Sequence, residues 1–393
     1  AGCRRQHSPA PGGVKSMISN TAAMDSQHHP GTGLESERQS LQGALASLQA
    51  RNLPKTHLKR VAVERDGTLH VEADGFGPPR WFTYQDRKLQ ELWPHDDKNI
   101  PLLAKRFVND SALGQVVISY RPGRRIVLGL KDSVGDRIFK GYKRRQCRQA
   151  AASHAIAVSA CRAGGFEVPR LLEYAEDTDY LVMAKQAGSN PETCVEAKRV
   201  WAKIGAYLRR FQQSCPGGAL TDFNSRDELS VLDERARRFL LCTPQLPANW
   251  QRGRELLEEK MVRLPAPSVG LTHRDLHDGQ FLVDGEVVSL LDFDLLCNAD
   301  VALDAGNLLA HLVLRELQAA DNCSTNAARV CSDAFLQGLA RCQEPGFKRR
   351  LYYYQATSFY RLALLYALRP RWAHLTDTLI SRGRQCIDAI GGG

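Results

Sequence analysis

Residues 269–294 constrain this chain more than any other stretch. An apolar segment, residues 269–271, runs into the polar loop His273-Arg274-Asp275-Leu276-His277-Asp278-Gly279-Gln280. Apolar residues follow at 281–283, then Asp284-Gly285, then a second apolar run at 287–291 that ends in Asp292-Phe293-Asp294. Asp-Gly between two such runs is a strong hairpin signal. A tight antiparallel hairpin brings its two ends together. Asp275, Gln280 and Asp292 are therefore expected to converge, although the outer two lie 17 residues apart. Such a cluster has a definite chemistry. One carboxylate can orient or deprotonate a hydroxyl, while a second carboxylate and an amide oxygen suit a hard cation such as Mg2+. Phosphoryl transfer from ATP needs that set. Taken singly, each acidic residue reads as a turn former or a cap. The ordered combination carries the reading.

Upstream, residues 115–120, 125–130 and 137–142 read as three strands. They are separated by turns at Arg121-Pro122-Gly123-Arg124 and at residues 131–136. The Ala-rich residues 146–163 read as a helix stopped by Gly164-Gly165. Two more strands are expected at 169–174 and 180–184. After Gly188 the pattern is mainly helical: residues 193–213, then 226–264 with a break near 243–247, then most of 301–390. Period two places Ile138, Lys140 and Tyr142 on one strand face. A lysine among apolar neighbours calls for an anionic partner.

Residues 1–35 lack apolar periodicity and are expected to be disordered. A short helix is expected within 34–53. Residues 58–84 read as strands, with a hairpin turn at Asp66-Gly67. The expected organisation is therefore a disordered segment (1–35), an accessory module (36–110), a sheet-rich lobe (111–187) and a helical lobe (188–393). Ala1-Gly2-Cys3 stands where a start methionine would, which reads as a fragment or an extended start, with Met17 and Met24 as candidate starts.

The run from Leu271 to Gln280, with Leu290-Leu291-Asp292-Phe293-Asp294 and Asp300-Val301-Ala302-Leu303-Asp304, resembles the aminoglycoside phosphotransferase and choline kinase-like family. The resemblance implies a protein-kinase-like fold of α+β class, two-lobed, with a small antiparallel sheet and a mainly helical second lobe. It implies ATP and Mg2+ as cofactors, Asp275 as catalytic base, and Gln280 and Asp292 as metal ligands. Gln280 stands where Asn is commoner. Lys140 would meet ATP phosphate, Met183 and Ala184 would lie at the adenine hinge, and Arg274, Asp294 and Asp304 would support the centre. For Asp304 a helix N-terminal charge is the other reading.

Two departures from the family pattern stand out. The first inter-strand turn carries arginines rather than glycines, so Arg124 either grips phosphate or is an exposed turn residue. No Asp or Glu lies between Lys140 and Glu167 to pair the lysine from the helix, which leaves Gln146, Gln149 or His154 as substitutes. A catalytically silent, nucleotide-binding or scaffold variant is therefore the alternative function.

The motif that follows Asp-Phe-Gly in protein kinases is missing, which points to a small-molecule hydroxyl acceptor rather than a protein. Residues 301–393 hold 7 acidic against 11 basic residues, which counts against a polycationic acceptor. A sugar, polyol or related metabolite is expected. Tyr352, Tyr353, Tyr354, Phe359 and Tyr360 read either as core or as a sugar-stacking surface. The net charge is +10, but basic residues are dispersed, so nucleic acid is not expected as a partner. Eleven scattered cysteines without a C-x-x-C pair suit reduced thiols and a cytoplasmic setting. No zinc-type site is expected, and no apolar run approaches the roughly 20 residues of a membrane span. Oligomeric state is not legible.

Overall fold

The computed structural model describes residues 41–74, 78–100, 114–132, 135–143, 146–174, 179–194, 196–214, 220–319 and 326–391. The disorder expected for residues 1–35 lies outside these. Alternating apolar residues build the accessory module as a four-stranded antiparallel meander, β1 (Leu58–Val63), β2 (Leu69–Ala73), β3 (Arg80–Gln85) and β4 (Lys88–Leu92), preceded by helix α1 (Leu41–Gln49). β4 was not expected. Its hairpin turns on Asp86 and Arg87, with φ of 48° and 59°, a pair of left-handed residues that contains no glycine.

The sheet-rich lobe is a five-stranded antiparallel sheet ordered β5 (Gly114–Arg121), β6 (Arg125–Asp132), β7 (Gly135–Tyr142), β9 (Tyr180–Ala184), β8 (Leu171–Glu173). Helix α2 (Gln146–Gly164) separates β7 from β8. It ends as the glycine pair predicts: Gly165 has φ +96° and its N–H donates to Cys161 O at 2.8 Å. The arginine-bearing turn is a Pro-Gly turn closed by Arg124 N–H to Arg121 O at 3.0 Å. Asp97 pins it by accepting from Gly123 N–H at 2.7 Å and from the Tyr120 hydroxyl at 2.8 Å.

The helical lobe contains α3 (Lys198–Gln213), α4 (Ser225–Leu240), α5 (Trp250–Met261), α6 (Ala302–Gln318), α7 (Ala327–Leu339), α8 (Phe347–Ala367) and α9 (Thr376–Ala389). α3 begins five residues later than its periodicity suggests, because Ala197 N–H turns back onto Cys194 O at 3.3 Å. Two short antiparallel pairs lie between α5 and α6: β10 (Val269–Thr272) with β13 (Cys297–Asp300), and the hairpin β11 (Phe281–Asp284) with β12 (Val287–Leu290). The aromatic stripe on α8 is not a stacking surface. Tyr353, Tyr354, Phe359 and Tyr360 are buried in the core that also holds Trp201, Trp250 and Leu308.

The accessory sheet is fastened to this lobe through Val61 N–H to Leu368 O at 3.0 Å and through shared apolar core. At the start of α6, Asp300 caps Ala302 N–H and meets Arg350 at 2.9 Å, both side chains only 3% exposed. Removing one partner strands a buried charge. Arg350→Met should therefore lower the unfolding free energy by about 3–5 kcal/mol in urea denaturation. A loss below about 1 kcal/mol would mean that the pair is dispensable.

Candidate active site

The hairpin β11–β12 does what its sequence predicts. Phe281 pairs with Leu290, so Gln280 and Leu291 meet across its open end, where Leu291 N–H donates to Gln280 O at 2.9 Å. His273 Nε2 bonds Leu291 O at 2.7 Å. Both backbone groups of Leu291 are thereby fixed, and Asp292 follows in a left-handed conformation at φ 60°. Arg274 adopts φ 70°, a second left-handed residue beside Asp275. Such residues cost on the order of 1–3 kcal/mol and persist where surroundings over-determine them. Here Asp304 does so: its carboxylate accepts His273 N–H at 2.9 Å and Arg274 N–H at 2.8 Å. The Arg274 guanidinium also lies 3.7 Å above the Phe223 ring.

Asp304 is fully buried, and burial pushes its carboxyl above the ordinary range against the pull of His273 and the two amides. Its two oxygens are thus committed to the loop at His273 and Arg274. Asn307, one turn further along α6, donates to Leu276 O at 2.9 Å. Arg361 of α8 holds Asn307 and reaches Glu228 of α4 at 3.1 Å.

Strands β6 and β7 present the opposing wall. Lys140 Nζ donates to Asp292 Oδ1 at 2.9 Å and lies 4.0 Å from Asp294. Arg125 donates to Asp294 Oδ2 at 2.6 Å and reaches Asp292 at 3.3 Å. The Tyr142 hydroxyl donates to Asp294 Oδ1 at 3.0 Å. Burial would raise the Asp292 carboxyl, but Lys140 and Arg125 override it and hold the group well below the usual carboxylate range. The lysine thus needs no helix glutamate here. It is held by Asp292, while His154 of α2 packs its ring 5.9 Å from that of Phe293.

A cleft of about 370 Å³ lies against this wall. Apolar side chains line it, among them Val127, Ile138, Leu181, Met183 and Leu282, with Ala184, Arg125, Lys140, Gln280 and Asp292 as well. Its size and lining suit a ligand of nucleotide dimensions. Arg124 is not part of it. That side chain pairs with Glu64 of the accessory module, and Arg125 occupies the cleft instead. Sequence reasoning missed Arg125, although its register opposite Tyr142 puts it on the Lys140 face.

The donor chemistry fits a hard divalent cation. Asp292 offers a carboxylate, and the Gln280 amide lies 3.3 Å from His277 Nε2. His277 Nδ1 accepts Gly279 N–H at 3.0 Å, and burial pushes the ring below its ordinary pKa. The Gln280 side-chain nitrogen faces that Nε2, which leaves its amide oxygen for a cation. His277, Asp278 and His311 also bring ligand atoms within 4.8 Å of one another, a grouping missed because α6 supplies His311 from 34 residues away. Asp278 is committed to Arg315 at 2.8 Å, and Arg361, Arg315 and Arg369 act on His311, surroundings that disfavour a cation.

Asp275 sits beside this cluster, half-buried. Among the described residues its carboxylate makes no hydrogen bond or ion pair, so it is free to accept from an incoming hydroxyl. The loop that holds it depends on Asp304. Asp304→Asn turns one acceptor of a backbone amide into a donor. It should cost about 1–3 kcal/mol in urea unfolding and speed hydrogen exchange at His273 and Arg274. Unchanged exchange at both amides would contradict this role.

The family model described as the phosphotransferase enzyme family, APH, matches residues 125–341. No curated protein matches the chain. Among solved structures, the amicoumacin kinase hAmiN in complex with AMP-PNP, Ca2+ and Ami superposes with a TM-score of 0.51 at 15% identity, covering 70% of this chain and 88% of that one. Choline kinase from Cryptosporidium parvum Iowa II gives a TM-score of 0.51 at 10% identity, covering 75% and 94%. These likenesses carry the fold: a small antiparallel sheet over a helical lobe, with the loop and hairpin between them. The family match spans more than half of the sequence and includes Lys140, Asp275, Gln280, Asp292 and Asp304, and on that ground the chain belongs to the phosphotransferase enzyme family.

Proposed function

We propose that this protein is an ATP- and Mg2+-dependent kinase that moves the γ-phosphoryl group of ATP to a hydroxyl of a small molecule. The observation that carries the reading is the uncommitted Asp275 carboxylate, set beside an Asp292 that two cations of the opposite lobe already hold ionised. Met183 and Ala184 form part of the cleft wall against which the adenine would rest. Lys140 and Arg125 are the groups placed to meet phosphate oxygens. Asp292 and Gln280 are the residues that would hold Mg2+, whose charge screens the phosphates during transfer.

The protein's own part is positional. Asp275 accepts the proton of the acceptor hydroxyl as its oxygen forms the new bond to the γ-phosphorus. The bond from that phosphorus to the bridging oxygen breaks, and ADP departs with the electron pair. Asp304, through the amides of His273 and Arg274, keeps Asp275 in place. Arg274 and Asp294 hold the loop and the Arg125 guanidinium in their orientations. In this state Lys140 and Arg125 occupy the acidic pair, so nucleotide entry exchanges carboxylate contacts for phosphate contacts without moving the cations far.

Asp275→Asn should lower the rate of labelled phosphate transfer by about 10²–10⁴-fold while ATP affinity stays within about twofold. Lys140→Met should do the converse and weaken ATP binding by about tenfold or more. Wild-type transfer in the Asp275 variant would refute the reading. ATP binding with no transfer to any hydroxyl compound would establish the alternative, a silent nucleotide-binding protein.

A further inference from the structure

Arg125 enters the cleft as the first residue of β6, directly after the Pro-Gly turn. Backbone amides at such turns can cradle phosphate. Here they are committed within the protein. Pro122 has no N–H, Gly123 N–H donates to Asp97 at 2.7 Å, and Arg124 N–H closes the turn onto Arg121 O at 3.0 Å. What the turn delivers to the cleft is therefore a side chain, Arg125, and the placement of that side chain depends on what holds the turn.

The accessory module holds it at several points. Asp97 uses both carboxylate oxygens: Oδ1 accepts Asn99 N–H at 2.9 Å, while Oδ2 accepts Gly123 N–H and, at 2.8 Å, the Tyr120 hydroxyl. Arg60 of β1 donates to the Tyr120 carbonyl at 2.6 Å, and the buried Glu72 of β2 aligns that guanidinium at 2.7 Å. Tyr120 is thus held by its hydroxyl and by its backbone, and its buried ring stands edge-on to Trp81 of β3 at 5.3 Å. Arg124, one residue before Arg125, pairs with Glu64.

The same module is anchored to the helical lobe. Beyond the bond from Val61 to Leu368, Leu41 N–H donates to Cys242 O at 2.9 Å, and Arg65 meets Glu234 of α4 at 3.2 Å. Leu58, Val61 and Val71 belong to the core of that lobe, whereas Trp81 joins Ile126, Leu128 and Phe139 in the core of the five-stranded sheet. The module therefore ties the turn to the lobe that carries Asp292 and Asp294, by a route separate from the chain segment joining the two lobes.

We propose that the accessory module is part of the nucleotide site: Asp97, assisted by Arg60, is a positioning residue that sets the turn between β5 and β6 and, through it, the placement of Arg125 against the nucleotide phosphates. The inference rests on the nucleotide part of the kinase reading above. Neither Asp97 nor Arg60 lines the cleft, so their influence passes through Arg125. Misplacement of a contact by about 1 Å can cost up to about 10²-fold, which makes such a brace consequential.

The test is a double-mutant cycle between Asp97 and Arg125 in the full chain, read by calorimetry as affinity for a non-hydrolysable ATP analogue with Mg2+. Asp97→Ala should weaken binding by about fivefold or more in the wild-type background and by less than about twofold in Arg125→Met. It should also speed hydrogen exchange at Gly123. Tyr120→Phe deletes only the hydroxyl and keeps the ring in its core. It should show the same dependence on Arg125 at smaller size, and it decides the matter if Asp97→Ala folds poorly. Equal losses in both backgrounds, as a purely structural contact would give, or no loss in either, would overturn the proposal. A chain that gives equal losses yet transfers phosphate from ATP would keep the kinase reading alone. One that shows the coupling and transfers to no hydroxyl compound would keep the brace and lose that reading.

Discussion

The charge on Asp292 is the interaction on which the rest depends. It sits between a sheet and a helical lobe, where burial alone would raise its carboxyl pKa. Lys140 and Arg125 keep it ionised, and both come from the sheet. The same contacts therefore set the charge state of the site and fasten the edge of the sheet over the Asp292-Phe293-Asp294 segment of the helical lobe. The geometry follows from strand register. Lys140 pairs with Val127, and Arg125 with Tyr142, so Arg125, Lys140 and Tyr142 share one sheet face. Tyr142 and Arg125 then divide the two oxygens of Asp294 between them.

Below that contact, the loop is held from beneath by buried polar groups rather than by packing alone. Asp304 takes two successive amides. Asn307 takes the carbonyl of Leu276, and Arg361 links Asn307 to Glu228. Asp304 and Asn307 tie the loop to α6, and Arg361 of α8 links α6 on to Glu228 of α4. A left-handed Arg274 is tolerable in that setting, because the amides that require it already have a buried acceptor. The site is thus a strained loop on a satisfied polar network, faced by a cationic sheet.

Much of this was legible in the sequence because it is periodic or local. The strands at β5, β6 and β7, the glycine stop after α2 and the Asp-Gly hairpin followed their patterns closely. Convergence of Gln280 and Asp292 followed from hairpin geometry alone. Less was legible where a tertiary partner decides the outcome. Arg124 and Arg125 are adjacent and alike in sequence, yet one pairs with Glu64 and the other enters the cleft. α2 has no carboxylate to hold Lys140, and the fold supplies Asp292 from 152 residues away. β13 is four residues of ordinary composition and is strand only because β10 lies beside it. His311 belongs to a helix whose pattern reveals a buried face but not its polar neighbours.

The most direct test of the account is the effect of Mg2+ on nucleotide affinity in wild type and in Asp292→Asn, measured by calorimetry with a non-hydrolysable ATP analogue. The account assigns Asp292 to the cation and Lys140 to the phosphates. Mg2+ should then tighten analogue binding in wild type by about tenfold or more, and this gain should vanish in the variant. An equal gain in both proteins would show that Asp292 holds no metal and that the site described here is not a phosphoryl-transfer centre.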